Sequence, residues 1–322
     1  MTRQMWLKSL PLVVLIIFLC IFPFVVREYF LDVMTFLLIN LILVASYRLI
    51  TTVGLWSFAH ISLMSVGAYT AGLLVIRLGF SFWGALPLGV LAAAVTGLIT
   101  GFLVLRTRGY YFFLATFAAG EAIRWVYILF RNPFGSYSGI GHIPRPAPVL
   151  GISFANPTTY YYLVLGFTLL SLAIIYRLEN SRIGATIAAI HSSEPLSEAI
   201  GINSLLYRNV VFVTAAAFAG LAGVLFSFYT GTACPGDYTF FYGINILIFV
   251  IVGGPGRFAG PIIGAVVLTV VGEALRGYLE LVPLIYGMIL IVVVLLEPQG
   301  LVALPKRISS QVEKWTGRRI MR

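Results

Sequence analysis

Charge is what this 322-residue sequence has least of: 10% of its residues are Asp, Glu, Lys or Arg, 60% are apolar, and the mean hydropathy is +1.00. A soluble domain of this length needs far more charge to cover its surface, so the class is a polytopic membrane protein. Lysine is nearly missing. Lys8, Lys306 and Lys314 stand alone, none behind a glycine-rich phosphate loop, so the chain has no P-loop with which to bind nucleotide. His60, His142 and His191 are scattered, without Cys or carboxylate at ligand spacing, which leaves no metal-site pattern. Cys20 lies in the first apolar run and Cys234 in a later connection, so a disulfide framework is not expected. No convergent catalytic set remains, and an enzyme is not expected. The net charge of +10 sits in short segments between apolar runs and in the tail "PKRISSQVEKWTGRRIMR". There it gives orientation signals and contacts to membrane lipid, not a nucleic-acid surface.

What the sequence has in quantity is long apolar runs. They fall at about 10–26, 30–47, 57–76, 82–105, 110–130, 159–176, 209–229, 240–252, 261–279 and 283–303. A helical span takes about 20 apolar residues. The expected fold is therefore an all-α membrane bundle of about ten spans, one domain over 1–322, with a basic tail at 304–322. Residues 1–28 have no evident cleavage site and read as a retained span. If the N-terminus is cytoplasmic, fifteen Lys and Arg fall inside and five outside, with Arg124 within a span. That asymmetry predicts both termini on the cytoplasmic side. The Gly- and Pro-rich connection at 131–158 reads as an ordered external cap or as a plain linker.

Two segments depart from simple spans. Phe240–Val252 is too short to cross a hydrocarbon core and runs directly into "GGPGRFAGP" (253–261). In the first half, "TTVGLWSFAH" (51–60) interrupts two apolar runs in the same manner. Irregular backbone cannot face lipid, so the pair reads either as broken helices flanking a cavity or as two tight interfacial turns. Beside the first break, Ser62, Ser65 and Tyr69 form a polar stripe that suits either a translocation path or interhelical hydrogen bonds. Gly254, in the second break, joins them as a pathway candidate. Glu121 and Arg124 in "GEAIR", and Glu273 and Arg276 in "GEALR", are intramembrane charges at i, i+3. Self-pairing explains how lipid tolerates them, so helix–helix glue comes first and a functional role second.

The most informative stretch is "SRIGATIAAIHSSEPLSEAIGIN" (181–203). Ile183, Ile187 and Ile190 make one apolar stripe on a short helix with thin Gly and Ala flanks. Ser192, Ser193 and Pro195 open a second helix that Gly201 ends. The charge count puts this pair in the cytoplasm, where the stripe is expected to bury in a partner's groove. On that expectation, Gly184→Trp blocks docking in a folded protein.

The chain resembles the membrane permease subunits of branched-chain amino acid ABC importers, specifically the longer subunit of the pair. The resemblance rests on "SFAHISLMSVGAYTAGLL", "RTRGYYFFLATFAAGEAIR", the 181–203 stretch, "FAGLAGVLFSF", "GGPGRFAGPIIGA" and "EPQGLVALP", in family order over about 35–305. It implies that 181–203 is the coupling element for a cytoplasmic ATPase, with Arg182, Gly184, Ala188, His191, Glu194, Ala199 and Gly201 as its contact candidates. It also implies two ATPase subunits that carry ATP, no cofactor in this chain, a second homologous permease, an external solute-binding protein and a place in the bacterial cytoplasmic membrane. His191 stands where the family commonly has arginine, and Pro195 where it has an aliphatic residue. Urea-import permeases resemble the chain too, and a stand-alone channel or ion-coupled carrier is the rival of another class.

Overall fold

A computed structural model describes residues 17–107, 109–148, 151 and 153–304. The start of the first run and the basic tail from 305 lie outside the described residues, as does Arg108. Residues 17–25 are helical. Eleven further helices are numbered here, α1 (Glu28–Thr52), α2 (Ala59–Leu78), α3 (Phe82–Val104), α4 (Tyr110–Leu129), α5 (Pro157–Glu179), α6 (Arg182–Ser192), α7 (Glu194–Ala199), α8 (Ser204–Thr230), α9 (Phe240–Gly253), α10 (Ala259–Ala274) and α11 (Val282–Leu296). Among the described residues there is no strand; one isolated bridge pairs Ile140 with Ala233. Helix is what these runs must form, because backbone N–H and C=O groups in lipid have to be satisfied within the segment.

Six helices, α1 to α5 and α8, are long and apolar enough to cross a membrane, and α9, α10 and α11 are shorter apolar helices. The helices therefore follow nine of the ten expected runs. Length separates them. α9 has 14 residues, about 21 Å of axis, where a crossing needs about 30 Å.

Two ends of the bundle can be told apart by their contacts. At the basal end, Arg48 of α1 pairs with Glu179 of α5 and donates to the Pro255 carbonyl at 3.1 Å. Arg208 of α8 pairs with Glu194 of α7 at 3.0 Å, and Arg257 donates to the Val302 carbonyl at 3.3 Å. At the cap end, Tyr229 of α8 bonds Asp32 of α1, while Arg276 lies over the Tyr29 ring at 4.2 Å. Segment 131–148 covers that end. Ile140 and Ala233 exchange backbone hydrogen bonds of 3.0 and 2.8 Å, and the Ser136 hydroxyl donates to the Ile128 carbonyl at 2.7 Å. Residues 131–148 are therefore an ordered cap and not a loose linker.

The core is the crossing of α8 with α2 and α3. Lipid gives oily side chains no drive to associate, so helices bind by close backbone approach. A Cβ at Gly67 would strike the Gly220 backbone, and one at Gly223 would strike the Met64 carbonyl oxygen. Around this contact Ala71, Ala93, Ala216 and Ala219 are fully buried.

Candidate functional site

The two helix breaks have related construction. After α1 the chain turns at Gly54 (φ +73°) and resumes as α2 at Ala59; after α9 it turns at Gly254 (φ +100°) and resumes as α10. Positive φ excludes most side chains and lets the backbone reverse within a few residues. The first break is more than a plain turn at the end of the bundle, however. His60 in the first turn of α2 bonds Ser46 at 3.0 Å, six residues, or about 9 Å, before α1 ends at Thr52. α2 thus begins inside the bundle. Likewise, Tyr242 in the first turn of α9 donates to Asn40 at 2.6 Å, and Asn40 is the midpoint of α1. Residues 231–239 descend from the cap end to mid-depth before α9 starts.

The N-termini of α2 and α9 consequently meet halfway through the bundle. The Phe58 and Phe240 rings lie 4.6 Å apart, and Phe117 of α4 packs on Phe240 at 4.9 Å. Between them is a crevice of about 10 Å³, room for about one water, lined by those rings with Ile61, Ser62, Gly120, Glu121, Tyr238 and Thr239. Above it, Tyr69 and Tyr127 stack at 4.1 Å, and the Ser65 hydroxyl donates to the Ser62 carbonyl at 2.6 Å. Of the polar stripe, Ser62 lines the crevice; Ser65 donates within its own helix and lies 3.5 Å from the Tyr127 hydroxyl of α4, and Tyr69 belongs to the aromatic layer above.

Asp237 caps this descending segment, accepting from the Cys234 N–H at 3.3 Å.

Gly254 is elsewhere. It packs at the basal end against the Gln299 carbonyl and Gly300 and does not join Ser62, Ser65 and Tyr69. The intramembrane charges also divide. Glu121 and Arg124 pair along α4 at 2.6 Å, as their spacing predicts, and Glu121 also lines the crevice. Glu273, half-buried, is in the last turn of α10 and Arg276, exposed, lies beyond it, 4.0 Å away, so this second pair sits at a helix end and not mid-run. The two copies of the pentapeptide share this i, i+3 pairing but not its place along a helix.

At the basal end, 181–203 forms α6 and α7 as its punctuation predicts. The Ser181 hydroxyl caps the Gly184 N–H at 3.4 Å, Ser193 is the N-cap of α7, and Gly201 (φ +86°) follows its end. The apolar stripe, however, faces the wrong way for its expected role. Ile187 and Ile190 are only 3% and 2% exposed, buried within the protein, whereas Ile183, Leu196 and Ile200 are 41%, 65% and 71% exposed. Gly184 is also turned inward. A Cβ there would meet the Glu179 carbonyl oxygen and, at 2.8 Å, that of Leu178. Gly184→Trp would therefore pry apart the α5–α6 corner and does not isolate a docking surface. Arg182, Ala188, His191, Ala199 and Gly201 are exposed; Glu194 is half-buried in its pair with Arg208. His191 reaches the first break, where a Cβ on Gly54 would lie 2.8 Å from its Nδ1.

Sequence reasoning missed the Arg48–Glu179–Pro255 junction. Arg48 is buried, and it ties α1 and α5 to the second break across 207 residues of chain. A charge at the edge of each apolar run was the only signal. Among the described residues, no group of His, Cys, Asp and Glu is arranged to hold a metal.

A family model described as the permease component of branched-chain amino acid transport systems matches residues 29–296. The chain belongs to that family. It is 30% identical to the high-affinity branched-chain amino acid transport permease LivM of Salmonella typhimurium, over 93% of this chain and 76% of that protein. It is 25% identical to BraD of Pseudomonas aeruginosa, a permease of the same description, over 79% of this chain and 88% of that one. LivH of Salmonella typhimurium is 29% identical over 45% of this chain and 47% of its own. These relatives are permease components, not enzymes. No solved structure matches the chain.

Proposed function

We propose that the protein is the membrane subunit of an ATP-binding cassette importer that moves branched-chain amino acids across the bacterial cytoplasmic membrane. In this reading the chain makes ten crossings with both termini inside. A solute-binding protein delivers cargo at the cap end, a second homologous permease completes the pathway, and two ATPase subunits dock at the basal end. The observation that carries it is the contact of α6–α7 with the first helix break. The element presents Ile183, Leu196 and Ile200 outward, while His191 rests on the Gly54 turn. A partner that pulls on this element moves the chain that leads, four residues later, to Phe58 at the crevice. Coupling needs such a contiguous element with two positions.

The test is leucine uptake into proteoliposomes containing the permease pair and its ATPases, with loaded binding protein on the outside and ATP within. Uptake that requires both ATP and binding protein is expected. Uptake from the permease alone, down a gradient, would contradict the proposal and favour a channel or carrier.

A further inference from the structure

We infer that the crevice between the N-termini of α2 and α9 is the closed form of a binding site for a zwitterionic aliphatic amino acid. The inference rests on the transport reading above and names the place within this chain where cargo is held.

Three observations converge. First, both helices begin at mid-depth: Thr239 is the N-cap of α9 without a side-chain hydrogen bond, whereas at the start of α2 the Phe58 N–H donates to Thr116 Oγ1 and the Ala59 N–H to Ser57 Oγ, both at 3.2 Å. A helix N-terminus carries roughly half a positive charge and unpaired N–H groups, and two such ends facing one crevice favour a carboxylate. Second, Tyr238 lines the crevice, is 2% exposed, and its hydroxyl has no hydrogen-bond partner. A buried hydroxyl without a partner is costly, and an incoming carboxylate supplies the acceptor it lacks. Third, the Glu121 carboxylate lines the same crevice. Its bond to Arg124 uses only part of its accepting capacity, which leaves room for an ammonium group.

The rings of Phe58, Phe117 and Phe240 complete the site. They bring apolar surface to the space between the charges, where a branched aliphatic side chain would lie. At about 10 Å³ the crevice excludes such a molecule at present. Opening requires Phe58 and Phe240 to part. Since Phe58 stands between the Gly54 turn and α2, a shift of the first break opens the site.

The test uses right-side-out membrane vesicles carrying the whole transporter with its binding protein. Tyr238→Phe removes only an unpartnered oxygen, so thermal stability is expected to be unchanged while leucine uptake per ATP hydrolysed falls about tenfold. A diazirine analogue of leucine, photolysed during turnover, is expected to label peptides containing Phe58, Phe117 or Phe240. Glu121→Gln is expected to lose that labelling, and Gly166→Ala on α5, outside the crevice, to keep it. Wild-type leucine uptake with unaltered transport in Tyr238→Phe, and label confined to other segments, would overturn the site and leave the transport reading intact. If the wild-type complex moves no leucine, the transport reading falls and this ligand with it.

Discussion

Arg48→Ala is expected to destabilise the protein by about 3–5 kcal/mol, and Glu179→Ala by a similar amount, because each leaves a buried charge without its partner. The two side chains are 9% and 14% exposed, and Arg48 also donates to the Pro255 carbonyl and lies 5.8 Å from the Phe258 ring centre. Removing it therefore loosens α1, α5 and the second helix break together. The double variant Arg48→Met, Glu179→Met removes both charges and restores packing, so it is expected to recover much of the stability lost in either single variant. It is not expected to recover transport, since the tie to Pro255 is gone. Thermal unfolding in detergent, read beside uptake, separates the two effects. Single variants as stable as wild type would mean that the junction is solvated and contributes little.

Gly223→Leu is expected to have the other large effect, a loss exceeding about 3 kcal/mol and little folded protein in the membrane. Its Cβ would lie inside van der Waals distance of the Met64 carbonyl oxygen, 2.8 Å from the Met64 carbonyl carbon and 3.2 Å from the Ala68 nitrogen. These are backbone atoms of α2, which cannot rotate aside as a side-chain tip can. The helices must separate, and the separation passes to Gly67 against Gly220 and Gly89 against the Gly67 carbonyl. Gly166→Leu on α5 is the control, because nothing lies within 4 Å of its Cβ. Its effect on stability is expected to stay within about 0.5 kcal/mol. Equal loss in both variants would point to a general penalty for leucine, not to the α2–α8 contact.

The helices were legible because composition and period suffice in lipid, where almost any apolar run must become one. The breaks were legible too, since Gly254, Pro255 and Gly256 deny helix wherever they fall. Depth was not. That α9 begins at the level of Asn40 depends on a hydrogen bond across 202 residues, which no local pattern encodes. Facing was also hidden. Ile183, Ile187 and Ile190 establish an apolar stripe, but periodicity is the same whether a stripe is buried at home or in a partner. Here the tight approach of Gly184 to the Glu179 carbonyl turns two of the three inward. Arg48 could be counted toward orientation, yet its pairing with Glu179 joins residues 131 apart and required the fold.

The measurement that bears most directly on the account is co-purification of the tagged protein from its native membrane in mild detergent. Wild type would be compared with the exposed-face variant Leu196→Asp, Ile200→Asp. Both side chains are exposed on and just beyond α7, so the variant is expected to fold and to stay in the membrane. Stoichiometric recovery of ATPases of the ATP-binding cassette type with wild type, and their loss from the well-folded variant, is the predicted result. Equal recovery from both would remove α6–α7 as the docking element. Recovery of no such ATPase with wild type would contradict the central claim that this permease is driven by ATP through its basal end.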